Sequence, residues 1–186
     1  GVEITGVYCT LCGAMIAYES EIDGREFRLG TSGFLYRSNK LLYDHGTESL
    51  WSTLTGVPVV GALAGEPLRL VPRPTVTTTW GAWKEAHPET KVLAIDTGHV
   101  RDYSEGAAYR EYFATDQLMF ATPRIDSRLK NKDEVLVLRF GLPGTRPAAI
   151  DRATLPPNSV YGGTHGGVDY TVFTDRSGAH RIYAVG

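Results

Sequence analysis

No apolar run in this chain goes far before a glycine or a proline interrupts it. The 21 Gly and 10 Pro of the 186 residues fall between short apolar stretches at close intervals, which is the punctuation of turn-rich β structure. Long helices have little room. A chain of this length can bury a core of its own, so folding needs neither a metal nor a disulfide staple. With 42% hydrophobic and 22% charged residues, disordered and fibrous architectures are excluded. The expected fold is mainly β: a compact sandwich or barrel-like single domain over residues 1–186, with one or two short helices and a repeated terminal hairpin.

Asp23-Gly24 carries the strongest local signal. It separates the β-rich runs Met15 to Glu21 and Arg25 to Leu29, and both of its residues suit the positive φ of a tight hairpin turn. A second hairpin is expected with Phe34 to Tyr36 and Leu41 to Tyr43 flanking Ser38-Asn39-Lys40. Further strands are expected at Val57 to Val60, Leu68 to Val71, Lys91 to Ile95, Gln117 to Ala121, Glu134 to Phe140, Val168 to Phe173 and Arg181 to Val185. Thr79 reads as the N-cap of a helix from Trp80 to Ala86, ended by His87-Pro88 because the residue before proline avoids the helical region. A shorter turn or helix is expected around Ala107 to Phe113.

The two ends of the chain resemble each other. Gly1-Val2-Glu3-Ile4-Thr5 parallels Gly167-Val168-Asp169-Tyr170-Thr171, Val7-Tyr8 parallels Val172-Phe173, and Gly13-Ala14 parallels Gly178-Ala179, with Tyr18 opposite Tyr183. Two copies of one hairpin are expected, side by side or about a pseudo-twofold in one sheet system. In this alignment Cys9 falls on Thr174 and Cys12 on Ser177. The second copy makes its bend without thiols, so the cysteines are surplus to folding.

Cys9-Thr10-Leu11-Cys12-Gly13 therefore points to chemistry, and three readings stay open. Two thiolates at this spacing can converge on a transition metal ion, and Zn, Fe or Cu each accepts such a pair. These are the only cysteines, so the other ligands must come from elsewhere. His45, beside Asp44 at a strand end, and His165, in the glycine-rich run Gly162 to Gly167, are the two histidines that qualify. The same spacing suits reversible dithiol–disulfide exchange, although the strand-like Met15 to Tyr18 departs from the helix N-terminus on which such motifs usually sit. The third reading is a small structural disulfide or a pair of inert thiols; a loop this short gains little from cross-linking. Haem attachment is excluded because Gly13, not His, follows Cys12.

The segment Tyr8-Cys9-Thr10-Leu11-Cys12-Gly13 resembles the Tyr-Cys-Pro-Leu-Cys-Gly segment of the bacterial and archaeal family of unknown function numbered thirty-one seventy-nine. The resemblance continues through Ser32 to Asn39, Leu42-Tyr43-Asp44, Ser49-Leu50-Trp51, Gly61, Gly65, Trp80, Trp83, His87 to Thr90 and Arg101-Asp102-Tyr103. It is dense from Val2 to Leu93 and thin beyond. It implies no established activity. It implies a periplasmic, envelope-associated or secreted protein, and an upstream stretch with a further histidine that this sequence lacks. The opening Gly1, with no initiator Met, agrees with a missing upstream segment. Thr10 stands where the family has Pro, which loosens the turn and keeps both thiols.

Other constellations are weaker. Ser32 lacks the spacing of a nucleophile elbow, and the Gly162 to Gly167 run, with no following Lys-Ser/Thr, reads as a flexible connection and not a phosphate loop. His87 caps its helix, and His99 and His180 belong to no constellation. Trp51, Trp80, Trp83, Tyr36 and Tyr43 suit core or cross-strand positions better than a pocket. A net charge of −2 with scattered Lys and Arg argues against nucleic acid. Val57 to Gly65, the longest mostly apolar stretch, is too short to span a bilayer. Two functions of different class follow: a metal or redox corner at Cys9 and Cys12 in an extracytoplasmic protein, or a non-catalytic binding or assembly module with the cysteines as a staple. Whether the chain is an enzyme, and whether its partner is a small molecule or a protein, is not legible in these residues.

Overall fold

In a computed structural model, residues 1–140 and 146–185 are described. The chain is mainly β and is organised as two compact units: residues 1–75 with 108–127, and residues 76–107 with 128–186. Among the described residues no sheet closes into a barrel.

The first unit holds β1 (Ile4–Cys9), β2 (Ala14–Glu19), β3 (Glu21–Ile22), β4 (Arg25–Glu26), β5 (Leu29–Tyr36), β6 (Asn39–Asp44), β7 (Leu50–Ser52), β8 (Val57–Val60) and β9 (Pro72–Arg73). They pair as three sheets, β1-β2-β9, β3-β4 and β5-β6-β7-β8. Asp23 and Gly24 form the β3–β4 turn at φ 51° and 78°, the positive pair that a two-residue hairpin turn requires. Inward-facing Val7 and Tyr18 of the first sheet meet Leu42 and Trp51 of the third, with Phe27, Leu63 and Leu70 completing the core. Side chains of two facing sheets thus share one apolar layer, the sandwich principle. Tyr18 donates its hydroxyl proton to the Thr53 carbonyl at 2.7 Å, as a buried phenol must find a partner.

Next along the chain come α1 (Trp80–Ala86), in the second unit, and α2 (Arg110–Phe113), in the first. Thr79 caps α1 by accepting the Ala82 N–H at 3.2 Å, and His87 ends it. The rest of the second unit is β10 (Val135–Leu138), β11 (Ala148–Asp151), a short 3-10 turn (Arg152–Thr154), β12 (Ser159–His165), β13 (Val168–Thr174) and β14 (His180–Val185). Its core joins Leu138, Ile150, Leu155, Tyr170 and Val172.

Several expectations need correction. Leu68 to Val71, Lys91 to Ile95 and Gln117 to Ala121 form no strand. Leu70 is instead a buried loop residue whose N–H is held by the Gly56 carbonyl at 2.8 Å. The run at Gly162 is not a flexible connection but part of β12, because Gly163 pairs with Tyr170 and leaves room for its ring. A Cβ there would lie 2.7 Å from the Tyr170 hydroxyl. The terminal hairpins do form, and Thr5 pairs with Tyr18 as Thr171 pairs with Tyr183. They do not share a sheet: β9 takes the place beside β2, and β12 the place beside β13.

Two glycines of the first unit separate backbone strain from crowding. Gly61 has φ 94°, and a Cβ on it would sit 2.9 Å from Ser49 Cα; Gly65 has φ 90° with open space around it. Gly65→Ala is expected to cost about 1 kcal/mol, the strain of positive φ alone, and Gly61→Ala clearly more, about 2 to 3 kcal/mol. The midpoints of urea unfolding of the two variants give the comparison, and equal losses would contradict it.

Candidate functional site

The β1–β2 hairpin explains how two cysteines come to share one corner. Along β1 alternate residues turn inward, so Val7 and Cys9 are buried while Tyr8 faces solvent. Cys9 pairs with Ala14 across the strands, residues 10–13 make the turn, and Gly13 takes the positive φ of 60° that closes it. Cys12 is exposed at the tip, yet its sulfur is directed inward. It donates to the Ser38 carbonyl at 3.3 Å and interacts with the Cys9 sulfur. Both cysteines are free thiols.

Two further residues complete this corner. Ser38, at φ 61°, belongs to the β5–β6 turn. Lys40, two residues on, sends its Nζ across to the Tyr8 carbonyl at 3.2 Å. Neither was singled out from sequence as a site residue, because the contacts link positions 26 and 32 residues apart. The nearest available signal was their place in a predicted turn, which says nothing of what the turn faces.

The Cys12 thiol is pushed up to about 12, first by burial of its sulfur and then by the hydrogen bond and charge of Cys9; Lys40 opposes the shift without cancelling it. The proton is therefore held on Cys12, between the neighbouring sulfur and a carbonyl oxygen. Removing Cys9 removes two of the causes. In Cys9→Ala, alkylation of Cys12 by iodoacetamide at pH 8 is expected to run several-fold faster than in the unaltered protein, because the thiolate is the nucleophile. An unchanged or slower rate would show that Cys9 does not hold that proton in place.

Within the first unit, His45 does not join the cysteines. His45 follows Asp44 at the far end of β6, five residues beyond Lys40, and at the usual strand rise this is on the order of 16 Å away. Its ring lies against Tyr43 with centroids 4.7 Å apart. Asp44 does not orient it. The carboxylate of Asp44 is buried and accepts from the Gly46 N–H at 2.9 Å, the Thr47 N–H at 2.8 Å, the Thr47 hydroxyl and the Trp51 indole N–H. Burial works to raise its pKa, but the donors at Thr47, Gly46 and Trp51 outweigh it and hold the carboxyl below the usual range. This is a loop brace, not an acid–base pair.

His165 ends β12 in the second unit, where its Nε2 contacts the Arg146 carbonyl at 2.7 Å. A carbonyl only accepts, so Nε2 carries the proton there. Among the described residues no group of three or more His, Cys, Asp or Glu is placed to hold a metal ion. The corner offers two sulfurs. A metal held there needs its remaining ligands from outside this set.

The remaining candidates serve structure. Ser32 sits at an irregularity of β5, donating to the Leu41 carbonyl at 2.7 Å and accepting from the Phe34 N–H. Trp51 is fully buried, whereas Trp83 is part-exposed, bonds Thr90 through its indole N–H at 3.0 Å and stacks on His87. In the second unit, a shallow cleft of about 520 Å³ runs past Lys132, Glu134, Asp151, Arg152 and Gly178. Its charges are already engaged: Arg152 pairs with Glu134, and Asp151 accepts the Ala153 N–H.

The second hairpin makes its bend by other means. Thr174, where the first hairpin has Cys9, is buried to the same 4% exposure. Asp175 organises the turn by accepting from the Ser177 N–H at 2.8 Å, the Ala179 N–H at 3.1 Å and the Arg181 guanidinium. Those donors, Ser177 first and Arg181 next, hold its carboxyl far below the usual range.

A family model described as protein of unknown function (DUF3179) matches residues 1–185, and the chain belongs to that family. The residues at the hairpin corner, the Ser38 turn and Trp51 all fall inside the match. No curated protein and no solved structure matches the chain. No helix among the described residues is long and apolar enough to cross a membrane.

Proposed function

We propose that Cys9 and Cys12 form a dithiol–disulfide exchange site in an extracytoplasmic protein. The observation that carries the reading is the pairing of an exposed Cys12 with a buried Cys9 at one hairpin tip, sulfur beside sulfur. Cys12 lies on an exposed tip that a partner can reach, and the buried thiol beside it can resolve the product.

The chemistry balances on these two atoms. Cys12 loses its proton to solvent and attacks one sulfur of a partner disulfide, whose other sulfur leaves as a thiolate. The Cys9 thiolate then attacks Cys12 Sγ in the mixed disulfide and displaces the second partner sulfur. The chain ends as a Cys9–Cys12 disulfide, two electrons have passed to the partner, and the two protons released by the cysteines match those taken up by the partner's thiolates. Lys40, whose Nζ is held at the Tyr8 carbonyl, favours the thiolate of Cys12 without cancelling the burial and the Cys9 proton that oppose it. An oxidising compartment keeps partner disulfides available.

A transition metal held by the same two thiolates is the second reading, favoured by the convergence of the sulfurs and in need of ligands supplied from elsewhere. Equilibration against glutathione buffers of graded redox poise distinguishes the readings. Exchange gives a two-state titration between dithiol and disulfide; a metal site gives about one ion per chain in protein purified without chelators, released when both thiols are blocked.

A further inference from the structure

Three stretches of the first unit, distant in sequence, are joined through Cys12 and Ser38. Cys12 bonds the Ser38 carbonyl at 3.3 Å, and the Ser38 hydroxyl bonds the Ala121 carbonyl at 3.2 Å. The hairpin tip, the Arg37–Ser38 turn and the stretch ending at Ala121 are thereby tied in series. What they show to solvent is largely apolar: Met119 is 51% exposed, Phe120 45% and Tyr8 52%, with Tyr36 also exposed beside the turn.

Two cations stand beside the thiol pair. Arg37 lies over the Tyr36 ring at 5.3 Å, and Lys40 bridges to Tyr8. Residues 8–15 and 36–40 contain no Asp or Glu, and Asp116 precedes the Met119–Phe120 pair by three residues. Aromatic residues, Met and Arg together are the composition of a recognition surface and not of an ordinary solvated face. A small disulfide such as oxidised glutathione could use the sulfur and a cation and would leave the apolar strip in water.

We infer that this strip is the docking surface for a polypeptide disulfide whose cysteine is flanked by apolar residues and a carboxylate. The occupant follows from three features: the thiol pair fixes a sulfur partner, the exposed Met and aromatic side chains fix apolar flanks, and the cations Arg37 and Lys40 beside the thiols fix an acidic neighbour. The inference rests on the exchange reading above and adds the class of its substrate.

The test oxidises the reduced full chain with three disulfides: glutathione, a short peptide disulfide with Leu, Phe and Asp around the cysteine, and the same peptide with Ser and Lys in their place. The apolar, acidic peptide is expected to react at least about tenfold faster than the other two. In a Met119→Ser/Phe120→Ser variant whose circular dichroism is unchanged, its rate falls toward that of the polar peptide. Equal rates within about twofold for all three disulfides would overturn the docking surface and leave exchange standing. Failure of all three, glutathione included, would overturn the exchange reading and the docking surface with it.

Discussion

Trp51→Ala is expected to lower the stability of the first unit by about 3 to 5 kcal/mol, the usual cost of emptying a core site of this size. Trp51 is 0% exposed in the middle of a four-stranded sheet, flanked by Leu42 and Pro58 on the neighbouring strands. Its ring meets Phe27 edge-on with centroids 5.0 Å apart. Its indole N–H reaches Asp44 at 3.5 Å, tying the core to the loop brace after β6. With domain stabilities typically about 5 to 15 kcal/mol, such a loss leaves the unit marginal. Trp51→Phe keeps most of the apolar volume and should lose much less. Urea unfolding followed by circular dichroism checks both, and similar midpoints for the alanine variant and the unaltered chain would contradict the core described here.

Cys12→Ser is expected to abolish exchange while leaving the fold intact, a loss of function without a matching loss of stability. The second hairpin supports the separation. Its Thr174 and Ser177 stand where the first has Cys9 and Cys12, and its strands pair through the same Thr–Tyr register with a turn one residue longer. Each bend closes on a glycine at positive φ, Gly13 at 60° in the first hairpin and Gly178 at 80° in the second, where Asp175 also braces the turn. Cys12→Ser retains a hydroxyl donor for the Ser38 carbonyl, so the turn keeps its tether. An unfolding midpoint close to that of the unaltered protein, with no oxidation by glutathione disulfide, is the expected pair of results. A variant that still exchanges electrons, or that fails to fold, would break the assignment in two different ways.

Local signals were legible where one residue type decides the backbone. Asp23-Gly24 fixes its hairpin because both positions need positive φ, and Thr79 with Pro88 fixes α1 at both ends. The β5–β6 turn was legible only to within a residue. It falls on Arg37 and Ser38, because the Thr53 hydroxyl bonds Asn39 and the Lys40 carbonyl and draws both residues into β6. Gly162 and Gly163 read as a loop because glycine has no side chain to declare a strand; only the Tyr170 ring opposite explains them. At the candidate site the two thiols were legible from their spacing. Ser38, Lys40 and the stretch ending at Ala121 were not, since they arrive by chain reversal from 26 to 83 residues apart in pairwise contacts. His45 was placed near the site by its position beside Asp44, and strand length alone carries it away.

The central claim is that two adjacent sulfurs at one hairpin tip exchange electrons as a unit. Intact mass spectrometry of the full chain, equilibrated across glutathione buffers and then alkylated, reads this directly. The account predicts two species only, one carrying two alkyl groups and one carrying none, exchanging in a single transition as the buffer becomes more oxidising. A chain that takes up two alkyl groups at every poise, or that stops at a single stable glutathione adduct on Cys12, would contradict it.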